Sequence, residues 1–223
     1  FASREFIHQR AYALLNDTLG LPEEEFTAFL EYSEMANKVE FMSDIDVHSH
    51  AGTALAIARS VLNEGVSLFS AFAMLLNYQR QGKMPGMCTV GEWSVRDESQ
   101  HAEGMAKLFR AFTEEHPRIV NDEFKRDIFD MFRMSVRLED KVIDLAYELG
   151  DLEGLSATDV KQYIRYLADR RLIQLGLKPN WKVKNNPLPW MEELLGGSSL
   201  SNFFEKRVTD YNAQGLEGED WGW

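Results

Sequence analysis

Hydrophobic residues recur along this chain at intervals of three and four over long stretches, the period of amphipathic α-helices. Alternating β-branched runs are nearly absent, and glycine and proline fall between the periodic stretches. The pattern predicts a first helix over about Ser3–Leu19, stopped by Gly20-Leu21-Pro22, and a second from about Glu23 to Met42. A long apolar helix is expected over roughly Ser49–Gln81, broken at Gly82-Lys83-Met84-Pro85-Gly86. A fourth spans about Thr89–Glu115 and stops before Pro117, and two more lie near Asn121–Leu149 and Ala157–Leu175. Helices this long favour a bundle. After Gly176, Pro179, Pro187 and Pro189 interrupt the pattern, with Trp181 and Trp190 placed to pin an extended segment. A short helical piece near Leu200–Thr209 leads into an acidic, aromatic tail.

Two of these helices carry the same motif, Glu5-Phe6-Ile7-His8 and Glu98-Ser99-Gln100-His101. A spacing of three puts carboxylate and imidazole on one helix face. One Glu-x-x-His arises readily by chance on a solvated face. Two, on separate helices, match the inward-facing pattern of a di-iron or di-manganese carboxylate bundle, which also needs a lone Glu from each of two other helices. Glu64 is a candidate for one of these, because it lies in a stretch that is apolar nearly all round. A buried carboxylate needs a partner, and either a metal or an arginine such as Arg59 would serve. Tyr12 follows His8 by four residues and shares the ligand-bearing face. It reads either as a core tyrosine or as a phenol oxidised by a neighbouring metal pair, with Leu68 and Phe72 available to exclude water. His48, His50 and His116 sit at helix boundaries and read as structural or surface residues.

Composition narrows the class. With 24 basic and 36 acidic residues the net charge is −12, which argues against coating nucleic acid. The single Cys88 excludes an intramolecular disulfide and a cysteine-based zinc site, and suits a cytoplasmic location. No signal peptide or membrane-spanning apolar run is evident. Phe1 enters directly into a helical pattern, so the chain is expected to be processed, split or truncated ahead of it.

On these motifs the chain resembles the radical-generating small (β) subunit of class I ribonucleotide reductase. The stretches that carry the likeness are Ser3 to Tyr12, Arg96-Asp97-Glu98-Ser99-Gln100-His101, Tyr166 to Leu172, Asn186 to Met191 and Asn202 to Arg207. The resemblance implies an all-α, ferritin-like helical bundle with a dimetal carboxylate site, over residues 1–210, lacking its N-terminal helix or helices. Residues 211–223 would form a flexible acidic and aromatic tail for docking a large subunit. It implies metal ligands at Glu5, His8, Glu64, Glu98 and His101, holding dinuclear iron or dinuclear manganese. Tyr12 would become the tyrosyl radical, Asp97 would hydrogen-bond a ligand histidine, and Tyr211 would relay the radical, with Trp221 or Trp223 as alternatives.

The implied activity is that of a ribonucleoside-diphosphate reductase small subunit. Oxygen activation at the metal pair would oxidise Tyr12, and the radical would pass to the large subunit that reduces the ribonucleotide. A homodimer is expected, with neither nucleic acid nor membrane as partner. Two departures stand out. The family's further carboxylate ligand and an exit-path tryptophan would lie upstream of Phe1, in a missing segment or a separate N-terminal polypeptide, or the site is incomplete. Ser94 stands where a hydrophobic residue commonly shields the radical. The competing readings are a ferritin-like iron oxidase, which needs neither Tyr12 nor the tail, and a non-catalytic remnant that keeps only the fold.

Overall fold

The computed structural model describes residues 2–22, 24, 27, 31–43 and 45–197. Among them no β-strand forms, and the one bridge pairs Leu152 with Leu155. The helices are α1 (Ala2–Leu19), α2 (Ser33–Ser43), α3 (His50–Leu62), α4 (Phe69–Arg80), α5 (Pro85–Glu115), α6 (Asp122–Ala146), α7 (Ala157–Gln174) and α8 (Pro189–Gly197). A π-turn over Asn63–Ser67 joins α3 to α4.

Local chemistry sets most boundaries. Side chains of Ser49, Asn121 and Ser156 accept the backbone N–H of Gly52, Phe124 and Asp159 at 2.9, 2.9 and 3.2 Å, capping α3, α6 and α7. Gly20, at φ +69°, closes α1: its N–H reaches the Asp17 carbonyl and that of Leu21 reaches Asn16. That pair of bonds is a Schellman turn, which needs a left-handed residue.

Of the predicted second helix, Ser33–Ser43 is helical, with the Tyr32 carbonyl receiving the amides of Met35 and Ala36; most of its first ten residues fall outside the described residues. The long third helix is interrupted by the π-turn. The fourth begins at Pro85 rather than Thr89, because proline has no N–H to lose at a first helical position. Trp190, expected in an extended segment, lies in α8 for the same reason, behind Pro189. Trp181 does lie in a loop, held by Asp169, whose carboxylate accepts the backbone N–H of Asn180, Trp181 and Val183 at 2.7, 2.8 and 2.9 Å. The predicted helix near Leu200–Thr209 and the tail fall outside the described residues.

The described residues up to Leu188 form one compact unit, and α8 belongs to a second. In the first, α3 and α4 pack on α5, α6 packs on α7 and α2, and α7 closes against α4 and the π-turn. Leu62, Phe69, Leu76, Ile128, Phe132, Ile143, Tyr163, Ile164 and Leu172 are fully buried between these helices. Each such side chain contributes about 1.5–3 kcal/mol relative to its exposed state. α1 lies against α5, and that contact brings the two Glu-x-x-His motifs together. No described helix is long and apolar enough to cross a membrane.

Candidate metal centre

The middle of the core-facing side of α5 is built from Ser94, Val95, Glu98, His101 and Ala102, all buried. Three of these five are polar, on the side where an ordinary bundle helix would be apolar. α1 lays Glu5 and His8 over them, and the π-turn supplies Glu64. Ligand-type atoms of Glu5, Glu64, Glu98 and His101 all lie within 4.8 Å of one another.

His8 completes the group. Its Nδ1 is 3.0 Å from Glu98 Oε1 and 3.5 Å from Glu5 Oε2. His101 Nδ1 is 3.2 Å from Glu5 Oε1, 3.4 Å from Glu98 Oε2 and 3.5 Å from Glu64 Oε2. Glu5 and Glu98 therefore each face both imidazoles, one through each oxygen, which is the placement a bridging carboxylate requires. The cluster is graded in burial: the Glu98 and His101 side chains are 3% and 7% exposed, whereas Glu5 is 47% exposed.

The far side of His8 is fixed by Asp97, whose Oδ2 lies 3.2 Å from Nε2. A carboxylate there accepts the Nε2–H, which leaves the Nδ1 lone pair facing the carboxylates. Arg4 approaches the same Asp97 oxygen at 3.7 Å. A lone pair set 3.0 Å from a carboxylate oxygen needs a proton or a cation between them. Without a cation the proton is retained by Glu98. Burial, then a hydrogen bond and charge repulsion with Glu64, then the charges of Glu5 and Asp97, push its carboxyl up to about 9.

The residues fit a metal pair. Glu64 Oε2 and Glu98 Oε2 are buried without a hydrogen-bond partner, a costly state in a closed core. A set of carboxylates and imidazoles without thiolate is one that iron and manganese accept.

Tyr12 projects from α1 toward α5, where its hydroxyl donates to Ser94 Oγ at 3.2 Å. Burial raises the phenol pKa and the nearby Glu98 charge adds to it, against the pull of the Ser94 bond. Ser94, by sequence only a departure from the family's pattern, is in the fold the partner of Tyr12. Phe72 is buried and meets Phe69 edge-on at 5.8 Å. Arg59, the alternative partner for Glu64, donates to the Phe41 carbonyl and lies over the Phe41 ring. His50 stacks on His116 at 4.0 Å, and neither belongs to the cluster. Tyr211, Trp221 and Trp223 lie outside the described residues.

A second polar group was not anticipated. Lys38 of α2 and Glu139 of α6 form a buried ion pair at 2.6 Å, with the Ser70 hydroxyl donating to Glu139. Burial holds the Glu139 carboxyl above the usual range despite the Lys38 charge. A buried acid on an amphipathic helix was a signal available in the sequence; its partner, on a separate helix, was not.

Comparison with known proteins gives one consistent answer. The family model for the ribonucleotide reductase small chain matches residues 1–187. A protein of Invertebrate iridescent virus 3, named "Probable ribonucleoside-diphosphate reductase small subunit 048L", is 37% identical over 242 aligned residues, covering 100% of this chain and 64% of that protein. The Chlamydia pneumoniae ribonucleoside-diphosphate reductase subunit beta is 32% identical, over 96% of this chain and 65% of its own length. This chain thus spans just under two thirds of each. Among solved structures, the ribonucleotide reductase R2 subunit from Clostridium botulinum superposes with a TM-score of 0.79 at 24% identity, over 86% of this chain and 63% of that one. The Rnr4 homodimer structure from Saccharomyces cerevisiae gives 0.66 at 22% identity, over 94% and 62%. These two establish the fold, and with the family match they leave one assignment: the chain belongs to the ribonucleotide reductase small-chain family.

Proposed function

We propose that this chain is the radical-generating part of a ribonucleoside-diphosphate reductase small subunit, in which Glu5, His8, Glu64, Glu98 and His101 hold a pair of iron or manganese ions. The observation that carries this reading is the convergence of three carboxylates and two imidazoles at one point, two of the carboxylates spanning both imidazoles. Bound there, the metal pair would supply the capacity to activate oxygen and to withdraw an electron from a nearby phenol.

The rest of the work falls to the chain's own groups. Glu98 gives up its proton when a cation takes the space between it and the imidazoles. Asp97 keeps His8 in the tautomer that offers Nδ1. Tyr12 is kept protonated by its burial, so its oxidation releases one electron and one proton, the latter from the hydroxyl held by Ser94 Oγ. Asp97, hydrogen-bonded to His8, would also help pass the oxidising equivalent outward from the metal pair, as the likeness to the family implies. Tyr211, or Trp221 or Trp223 in its place, would carry it within the 211–223 tail to a separate large subunit that binds and reduces the ribonucleotide. Three acidic side chains and two tryptophans in the last eight residues suit such docking through steering charge and aromatic anchors. A homodimer and a cytoplasmic setting belong to the same reading.

The test is electron paramagnetic resonance after loading with Fe(II) or Mn(II) and admitting oxygen. A tyrosyl signal that vanishes in Tyr12→Phe supports the proposal. A signal that needs a separately added upstream segment bearing a carboxylate assigns the chain as one half of a split subunit. Metal uptake with turnover of excess Fe(II) but no radical supports a ferritin-like oxidase instead. No stoichiometric uptake under any of these conditions leaves a bundle that keeps only the fold.

A further inference from the structure

The π-turn is the one interruption in the helix that presents Glu64, and two cations from distant parts of the chain reach its backbone. In a π-turn the amide pairing steps from the fourth to the fifth residue, so the chain bulges and a carbonyl loses its helical partner. Lys38 Nζ donates to the carbonyl of Ser67. Arg171 Nε donates to the carbonyl of Gly65 at 3.3 Å, while its Nη1 is tied to Gln174 at 2.9 Å. Glu64 stands immediately before this doubly held stretch.

We propose that Lys38 and Arg171 are positioning residues, which hold the π-turn open and so fix the Glu64 carboxylate in the cluster. The part concerning metal rests on the function proposed above; the part concerning the backbone does not.

Three observations support the assignment. Lys38 is buried with Glu139, and a buried ion pair is a poor source of net stability, because desolvating both charges offsets most of their attraction. Its added bond to the Ser67 carbonyl gives the charge a task that an apolar pair could not perform. The Ser67 hydroxyl is itself engaged, 3.0 Å from Ser135 Oγ, so the turn is tied to both α2 and α6. On the other side the fit is tight. A Cβ on Gly65 would lie 2.4 Å from Arg171 Nε and 3.1 Å from Ala102 Cβ, so only glycine admits the guanidinium to that carbonyl. Ala102 adjoins His101, and Arg171 therefore sets the turn's height above the ligand-bearing face of α5.

The test compares wild type with Arg171→Met, with Arg171→Lys, and with the double variant Lys38→Met/Glu139→Gln, which leaves no unpaired buried carboxylate. Hydrogen exchange is followed by mass spectrometry in the metal-free protein, and Mn(II) affinity by loss of the free-ion resonance signal. The expected result is exchange at residues 63–67 faster by about tenfold or more, with α6 and α7 unchanged. Mn(II) affinity should fall about tenfold, as for other groups that orient a ligand, and Arg171→Lys should recover most of both effects. Wild-type exchange at 63–67 in Arg171→Met and in the double variant would overturn the proposal. Should the double variant unfold, the Arg171 variants decide the matter alone. If wild type itself takes up no Mn(II), the metal reading fails, and exchange at 63–67 still decides whether the two cations brace the turn.

Discussion

Replacing Glu98 by glutamine should stabilise the metal-free protein, by an amount that grows with pH. In the folded chain this carboxyl is held up to about 9, against 4.5 for an unperturbed glutamate. Between those values the folded state keeps a proton that the unfolded state has released. Stability is therefore full below the unfolded value and is lost as pH rises toward the folded one, at about 1.4 kcal/mol per pH unit. At pH 7 the accumulated loss is on the order of 3 kcal/mol. Glutamine carries no ionisable proton, and its amide can donate to the carboxylates of Glu64 and Glu5. The difference in unfolding free energy between variant and wild type should thus rise steadily from pH 5 to pH 9. Urea denaturation at several pH values, in chelator, measures it, and taking the difference cancels the other titrating groups. A difference that stays flat across this range would refute the reasoning. It would mean that the Glu98 carboxylate is ionised throughout.

The remaining predictions concern the groups around the site. Metal binding at pH 7 should release about one proton from Glu98; calorimetry in buffers of different ionisation enthalpy reads this, and the release should disappear in Glu98→Gln. Asp97→Asn should lower metal affinity about 10–100-fold, since the amide no longer fixes the His8 tautomer, and a metal titration with a competing chelator will show it. Asp169→Ala should cost about 3 kcal/mol, because three backbone N–H groups of the Trp181 loop lose their acceptor; urea unfolding tests this. Tyr12→Phe should change stability by no more than about 1 kcal/mol, so any loss of a radical signal in that variant is chemical rather than structural.

What could be read from the sequence was what is local. Period, stop signals and caps placed α1, α5, α6 and α7 within a few residues, because Gly20, Pro117, Asn121 and Ser156 act on their own neighbours. The pairing of the two Glu-x-x-His motifs was legible for the same reason: a spacing of three fixes a face wherever the helix lies. The π-turn was not. Its carbonyl partners, Lys38 and Arg171, are 29 and 106 residues away in sequence, and nothing in Asn63-Glu64-Gly65-Val66-Ser67 alone distinguishes a bulge from a continuous apolar helix. The Lys38–Glu139 pair was hidden likewise, each member being an ordinary charged residue until the other is placed beside it. Pro85 and Pro189 were read as interruptions, whereas each opens a helix. Proline's two roles differ only in where the chain has just come from.

The central claim is that five side chains from α1, α5 and the π-turn form one two-metal site. Anomalous X-ray diffraction from crystals soaked in Mn(II) tests it most directly. The account predicts two anomalous peaks, one within bonding reach of His8 and the other of His101, with Glu5 and Glu98 between them. A single peak, or density confined to other carboxylates or to the His50–His116 pair, would contradict it.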